Sequence, residues 1–232
     1  MEKLDYILNL DCLLGMRKMS DNSVDLIITD PPYELQQTGG SGAFGRKNRE
    51  YHQQIDNLQN GISDMILREM LRVCKKPNMY IFCSKDQLPQ LLMFAINNGL
   101  KYDILTWHKT NPVPTCNNKY LSDTEYIVFM RKGANLYGTY ETKRKYFITQ
   151  TNTTDKKLWG HPTIKPLNII ETLILNSSLE NDIILDPFMG SGTTAIACMR
   201  NNRHFIGFEI NDVYYKTSLK RIQQEKSQQS LF

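Results

Sequence analysis

Ile183-Ile184-Leu185-Asp186-Pro187-Phe188-Met189-Gly190-Ser191-Gly192-Thr193-Thr194-Ala195 decides the fold. An apolar run ends at an acid and a proline, two glycines follow, and a helix-forming stretch begins. Glycine permits positive φ and lets a ligand approach the backbone. The helix start beyond it offers unsatisfied N–H groups and the positive end of a dipole. The next apolar run, from Phe205, ends at Glu209, nineteen residues after Gly190. A carboxylate there suits a pair of ribose hydroxyls. Strand, glycine turn, helix, strand and acid together define the ligand-binding edge of a wound α/β sheet, at the carboxyl ends of its strands. The spacing Gly190-x-Gly192-x-x-Ala195 also fits a relaxed dinucleotide fingerprint, so a nicotinamide enzyme is one reading. No Lys follows Gly192, which excludes a Walker A loop.

Outward from this loop, short apolar runs alternate with helical spacing, as an α/β sheet requires. Strands are expected at Tyr6–Leu10 (ending at Asp11), Val24–Thr29, Met79–Cys83, Tyr102–Trp107, Glu125–Met130, Ile183–Leu185 and Phe205–Glu209. Helices are expected after Asp11 to Met19, and over Ile62–Lys76, Gln87–Asn98, Pro166–Ser178, Thr193–Asn201 and Asp212–Glu225. Residues 34–61 carry Gly39, Gly40, Gly42 and Gly45 among polar side chains and read as a mobile loop. Residues 131–160 show no clean periodicity.

The chain has 232 residues, 41% hydrophobic and 22% charged. It can therefore bury a core, and wholesale disorder is excluded. No apolar run approaches the ~18–20 residues of a membrane span. The opening Met1–Asp5 carries acids and no long apolar stretch, so no secretory signal is expected. Cys12, Cys74, Cys83, Cys116 and Cys198 are scattered and form no C-x-x-C pair. They favour a reducing, cytoplasmic setting and no structural metal. Net charge is +4, but Arg131, Lys132, Lys143, Arg144, Lys145, Lys156, Lys157 and Lys165 face only Glu141 and Asp155 between residues 131 and 165. That stretch suits a polyanion or, equally, a solvated loop.

A second motif, Asp30-Pro31-Pro32-Tyr33, follows the apolar strand Leu26-Ile27-Ile28. Two prolines supply no backbone donors and must end the strand. A rigid turn of this kind presents the Asp30 carboxylate and main-chain carbonyls as fixed acceptors, and Tyr33 offers a flat face. The set suits the exocyclic amine of a planar heterocycle. The bland alternative is a strand-ending turn with a half-buried tyrosine.

Together these elements resemble the β group of S-adenosylmethionine-dependent DNA amino-methyltransferases. Asn22–Tyr33 looks like the family's catalytic segment, His161-Pro162-Thr163-Ile164-Lys165-Pro166 like the segment before its cofactor strand, and Asp186–Thr194 like its cofactor loop. The catalytic motif precedes the cofactor motif, with a basic segment between, which is the β-group order. The resemblance covers about Asp11 to Ile222. It implies a Rossmann-like class I methyltransferase fold: a mostly parallel, seven-stranded sheet in circularly permuted order with a small inserted recognition segment. The expected division is 1–130 for the catalytic half, 131–160 for target recognition, 161–226 for the cofactor half, and 227–232 as a flexible tail.

The resemblance also assigns roles. Asp30, Pro31, Pro32 and Tyr33 would be catalytic. Asp11, Cys12, Asp30, His161, Phe188, Gly190, Ser191, Gly192, Thr193 and Glu209 would line the S-adenosylmethionine site. Asp11 and Cys12 would lie near the adenine and Glu209 at the ribose. Arg46, Lys47, Lys143, Arg144 and Lys145 would contact DNA, and no metal is required. Asp30 and the Pro31 carbonyl would accept the protons of a flipped-out base's amine, with Tyr33 stacked on the base. The D-P-P-Y form favours adenine N6 over cytosine N4; an RNA target uses the same chemistry. Partners implied are DNA, a second copy of the chain and a cognate restriction endonuclease. Gln228-Gln229-Ser230-Leu231-Phe232 resembles the peptide by which bacterial proteins dock on the replication sliding clamp, with Gln228, Leu231 and Phe232 as anchors. Trp107 and Trp159 are further candidates for stacking on bases.

Overall fold

The computed structural model describes residues 4–32, 62–112, 114, 118, 120–152, 159 and 164–229. Among these, eight strands form one sheet in the order β1-β8-β7-β2-β3-β5-β4-β6. In chain order the elements are β1 (Tyr6–Leu8), α1 (Cys12–Met16), β2 (Leu26–Thr29), α2 (Asp64–Val73), β3 (Asn78–Cys83), α3 (Leu88–Asn97) and β4 (Lys101–Lys109). They continue with β5 (Thr124–Arg131), β6 (Tyr146–Thr149), α4 (Leu167–Ser177), β7 (Ile183–Asp186), α5 (Thr193–Arg200), β8 (His204–Phe208) and α6 (Asp212–Gln229). Strands β1, β8, β7, β2 and β3 pair in parallel, β5 runs antiparallel to β3 and β4, and β6 pairs parallel with β4.

Every residue of β2 and β3 is buried. Such runs are apolar but for Thr29 and Asn78, because helices cover both faces of the sheet. Alternation divides the side chains between two cores. Ile27, Met79, Ile81 and Val128 meet Met16, Met70 and Leu91 from α1, α2 and α3. Leu26, Ile28, Tyr80, Phe82 and Ile127 meet Ile170, Leu173, Ala197 and Ile222 from α4, α5 and α6. The Tyr80 ring stacks on Phe129 with centroids 4.1 Å apart.

The seven strands expected from the sequence are present, and the eighth is new. Tyr146–Thr149, inside the basic segment, adds an edge strand beside β4. Its residues are exposed or half-buried in alternation, so its hydrophobic signal is weak. The segment 131–160 therefore contributes to the sheet itself. Strand β1 stops at Leu8, short of Leu10, and Asp11 caps α1 by accepting the Leu14 N–H at 3.0 Å. Helix α6 continues past Glu225 to Gln229, so the first residues of the expected tail are helical and Gln228 is an exposed part of α6. Leu231 and Phe232 lie outside the described residues.

The chain winds in opposite directions from the neighbouring strands β7 and β2. The crevice at such a reversal is where doubly wound sheets bind ligands. Asp186 ends β7 there and Asp30 follows β2, so both sequence motifs open onto the same edge.

Candidate active site

One side-chain bond joins the motifs beneath that edge, and a second braces the cofactor loop from within. Thr29 Oγ1 donates to Asp186 Oδ1 at 2.9 Å, and Thr194 Oγ1 donates to Asp186 Oδ2 at 2.6 Å. The Phe188 N–H also donates to Asp186 Oδ1, at 3.1 Å. Asp186 is 4% exposed and ties β2, the glycine loop and α5 to one carboxyl group. Burial pushes that group from 3.8 up to about 7; its three donors oppose the rise and the Asp30 charge adds to it.

The glycine loop has the backbone its sequence requires. Gly190 has φ 54° and Gly192 φ 85°. A Cβ on Gly192 would stand 3.0 Å from Ser218 Cβ, because α6 packs tightly there. Glu209, 9% exposed, holds the loop from the next strand end. Its Oε2 accepts the Gly190 N–H at 2.8 Å and its Oε1 accepts the Asn211 N–H at 2.7 Å. Burial raises its carboxyl group, and these two donors moderate the rise. Leu8 and Ile210, exposed by 41% and 64%, present apolar surface near Glu209, whose N–H donates to the Leu8 carbonyl at 3.0 Å.

Ser191 and Thr193 are buried, and their hydroxyls meet Arg221 of α6. The Arg221 guanidinium donates to Ser191 O at 2.8 Å, Ser191 Oγ at 2.9 Å and Thr193 Oγ1 at 3.2 Å. It also lies 5.9 Å from the Trp159 ring centroid. Sequence reading passed over Arg221, which looks like any surface arginine of a polar helix. Cys12 is buried, and burial, reinforced by the Asp11 charge, pushes its thiol up to about 12. It is a neutral wall residue, and the Asp11 side chain is engaged as a helix cap.

Around Asp30 the structure gathers charges that sequence spacing does not connect. Lys165 Nζ lies 2.8 Å from Asp30 Oδ2 and 2.9 Å from Glu125 Oε2. Lys109 Nζ lies 2.8 Å from Glu125 Oε1. The order Asp30, Lys165, Glu125, Lys109 alternates in sign and sums to zero. Burial alone would raise the Glu125 carboxyl group, but Lys165 and Lys109 outweigh it and hold it at about 2. Burial alone would lower Lys165; Asp30 and Glu125 reverse this, so its ammonium titrates above the ordinary lysine value.

Asp30, Pro31, Pro32, Phe188, Gly190, Ser191, Gly192, Thr193 and Glu209 thus lie along the carboxyl ends of β2, β7 and β8. Lys143, Arg144 and Lys145 do not join them. They precede β6, next to Asp103 on β4, and Lys145 pairs with Asp103 and Arg144 with Glu141. From Asp103 to Lys109 at the catalytic edge is about 20 Å along the strand. Trp107 is 2% exposed and donates to Thr149 Oγ1 at 2.8 Å, so it is a core residue and not a stacking platform. Tyr33, Arg46, Lys47 and His161 lie outside the described residues.

With this geometry in place, the comparisons with known proteins agree. A family profile described as DNA methylase, covering N6 and N4 methyltransferases, matches residues 24–220. Type II methyltransferase M2.DpnII of Streptococcus pneumoniae is 33% identical over 93% of this chain and 88% of its own length. M2.LlaDCHI of Lactococcus lactis subsp. cremoris is also 33% identical, over 95% and 90%. A crystal structure of the M1.HpyAVI–SAM complex superposes with a TM-score of 0.67 at 29% identity, covering 93% of this chain and 98% of that one. The cytosine-N4-specific PvuII DNA methyltransferase shares the fold, with a TM-score of 0.69 at 18% identity over 95% and 90% of the two chains. The chain belongs to the DNA methylase family and is a DNA methyltransferase.

Proposed function

We propose that this chain transfers a methyl group from S-adenosylmethionine to the N6 amine of adenine in DNA, as the modification enzyme of a restriction system. The observation that carries the reading is the bonded junction of the two motifs: Thr29 to Asp186 at 2.9 Å places Asp30 beside the glycine loop.

The residues present fit the cofactor. A glycine loop with positive φ, a buried carboxylate at the adjoining strand end and exposed Leu8 and Ile210 suit a nucleoside carrying a methionyl group. Glu209 would take the ribose hydroxyls, Asp11 and Cys12 would border the adenine, and Phe188 with the loop to Thr193 would hold the methionyl part, joined by His161. When bound, S-adenosylmethionine supplies an electrophilic sulfonium methyl, so the protein needs to contribute aim and charge.

That contribution comes from Asp30. An exocyclic amine is a poor nucleophile because its lone pair is delocalised into the ring. Asp30 and the Pro31 carbonyl accept hydrogen bonds from its two N–H groups, favour a pyramidal nitrogen, and do so most strongly as positive charge develops there. Pro32 stiffens the turn, and Tyr33 stacks on the base, which must leave the duplex to reach this edge. Asp30 or water then takes the released proton.

DNA contacts extend beyond the target base. Lys143, Arg144 and Lys145, just before β6 and back along β4 from the catalytic edge, suit DNA phosphates away from the target base, and Arg46 and Lys47 would add further phosphate contacts. A second copy of the chain, a cognate endonuclease and a sliding clamp held by Gln228, Leu231 and Phe232 remain part of this proposal. Incubation with labelled S-adenosylmethionine and either DNA or RNA tests it. Label entering DNA, and lost in Asp30→Ala while cofactor binding persists, supports the assignment; label entering RNA alone contradicts it.

A further inference from the structure

We propose that Lys165 is the positioning residue of the reaction, fixing the Asp30 carboxylate from behind while Glu125 and Lys109 fix Lys165. The proposal rests on the methyl-transfer reading above and assigns work to three residues that reading leaves unused.

Its basis is geometry. Lys165 is 7% exposed and bridges two carboxylates at 2.8 and 2.9 Å. Each partner comes from a different element: Asp30 follows β2, Glu125 lies on β5, and Lys109 ends β4. The Lys165 backbone is held as well, because Pro166 is the N-cap of α4 with φ −59°. The ammonium lies 5.3 Å from the Phe82 ring centroid, and Lys109 lies 5.4 Å from that of Trp107. The Lys165 side chain is 8% exposed and that of Lys109 17%.

A buried ion network is a poor device for stability alone, since well-packed apolar residues of similar volume often serve as well or better. Its use is registry. Acceptance of an amine proton tolerates errors of about 0.5 Å and 10–20° in the acceptor, and a short turn of two prolines does not set the rotation of a carboxylate about its own side-chain bonds. Lys165 does so by binding Oδ2. Glu125, paired with Lys109 through its other oxygen, holds Lys165 from the side opposite Asp30.

The test uses the full chain with duplex DNA and S-adenosylmethionine. Single-turnover transfer at saturation, cofactor Kd by calorimetry and Tm are measured for wild type, Lys165→Met, Lys165→Arg and the pair Lys165→Met with Glu125→Gln. The expected result is a transfer rate at least 30-fold lower in Lys165→Met, with cofactor Kd within threefold of wild type and part of the rate regained in Lys165→Arg. The paired variant has no surplus carboxylate, so it should recover Tm without recovering rate; it decides the matter if Lys165→Met alone does not fold. A Lys165→Met rate within threefold of wild type, a paired variant at the wild-type rate, or a cofactor Kd that rises in step with the lost rate would each overturn the proposal. If wild type methylates no DNA, the underlying reading fails instead, and that outcome is separate.

Discussion

The Thr29 hydroxyl donates to the Asp186 carboxyl at 2.9 Å, with Thr29 1% and Asp186 4% exposed. One residue later the chain reaches Asp30, and two residues beyond Asp186 it reaches Phe188. Beyond the β2–β7 ladder, catalytic turn and cofactor loop are therefore set against each other by one buried side-chain bond. Thr29→Val keeps the shape and removes the donor. The expected cost is about 1–3 kcal/mol in chemical denaturation, the range for a buried acceptor losing a partner, together with a lower methyl-transfer rate at unchanged DNA affinity. A rate equal to wild type would show that the bond serves stability alone.

Asp186 also makes stability depend on pH. Its carboxyl group is raised from 3.8 to about 7 by burial, so the folded chain holds a proton that the unfolded chain releases at lower pH. Its contribution to stability is full below about pH 4 and is lost as pH rises to about 7. Asp186→Asn mimics the protonated form and has no such loss. The Tm difference between variant and wild type should move in the variant's favour from pH 5 to pH 8; a difference independent of pH contradicts the assignment.

Glu209 should matter to the cofactor before it matters to chemistry. Glu209→Ala removes the acceptors of the Gly190 and Asn211 N–H groups and the carboxylate offered to the ribose. Hydrogen bonds to charged groups are worth about 1.5–3 kcal/mol each, so cofactor Kd should rise at least tenfold by calorimetry. Glu209→Gln retains one strong acceptor and should fall between.

Arg221 clamps the same loop from α6. Arg221→Met strands the Ser191 carbonyl and both hydroxyls without their cation. Hydrogen exchange over residues 188–193 should speed up, cofactor Kd should rise about tenfold, and stability should fall by about 2–4 kcal/mol. Unchanged exchange in that loop would refute the clamp.

How much of this was legible in the sequence depended on how local each signal was. Leu26–Thr29 and Ile183–Asp186 are unbroken apolar runs ending at an acid, so strand, turn and acid are read from neighbours in the chain. Gly190 and Gly192 announce positive φ in the same way. Lys165 and Glu125 are different. Forty residues separate them, and only the antiparallel return of β5 beside β3 brings Glu125 to the catalytic edge. Arg221 lies on a helix whose lysines, Lys216, Lys220 and Lys226, are exposed, and nothing in its spacing marks it as 6% exposed. Strand β6 was hidden because an edge strand exposes alternate apolar residues, here Tyr146 and Ile148. Lys143, Arg144 and Lys145 advertised charge without position; their place before β6, away from the catalytic edge, follows from the sheet alone.

The most direct test is the identity of the methylated base. DNA is incubated with wild-type chain and S-adenosylmethionine, digested to nucleosides and separated by mass spectrometry, with Asp30→Ala run in parallel. N6-methyladenine from wild type and none from Asp30→Ala is the predicted result. N4-methylcytosine in its place, or N6-methyladenine from Asp30→Ala at the wild-type level, would contradict the account.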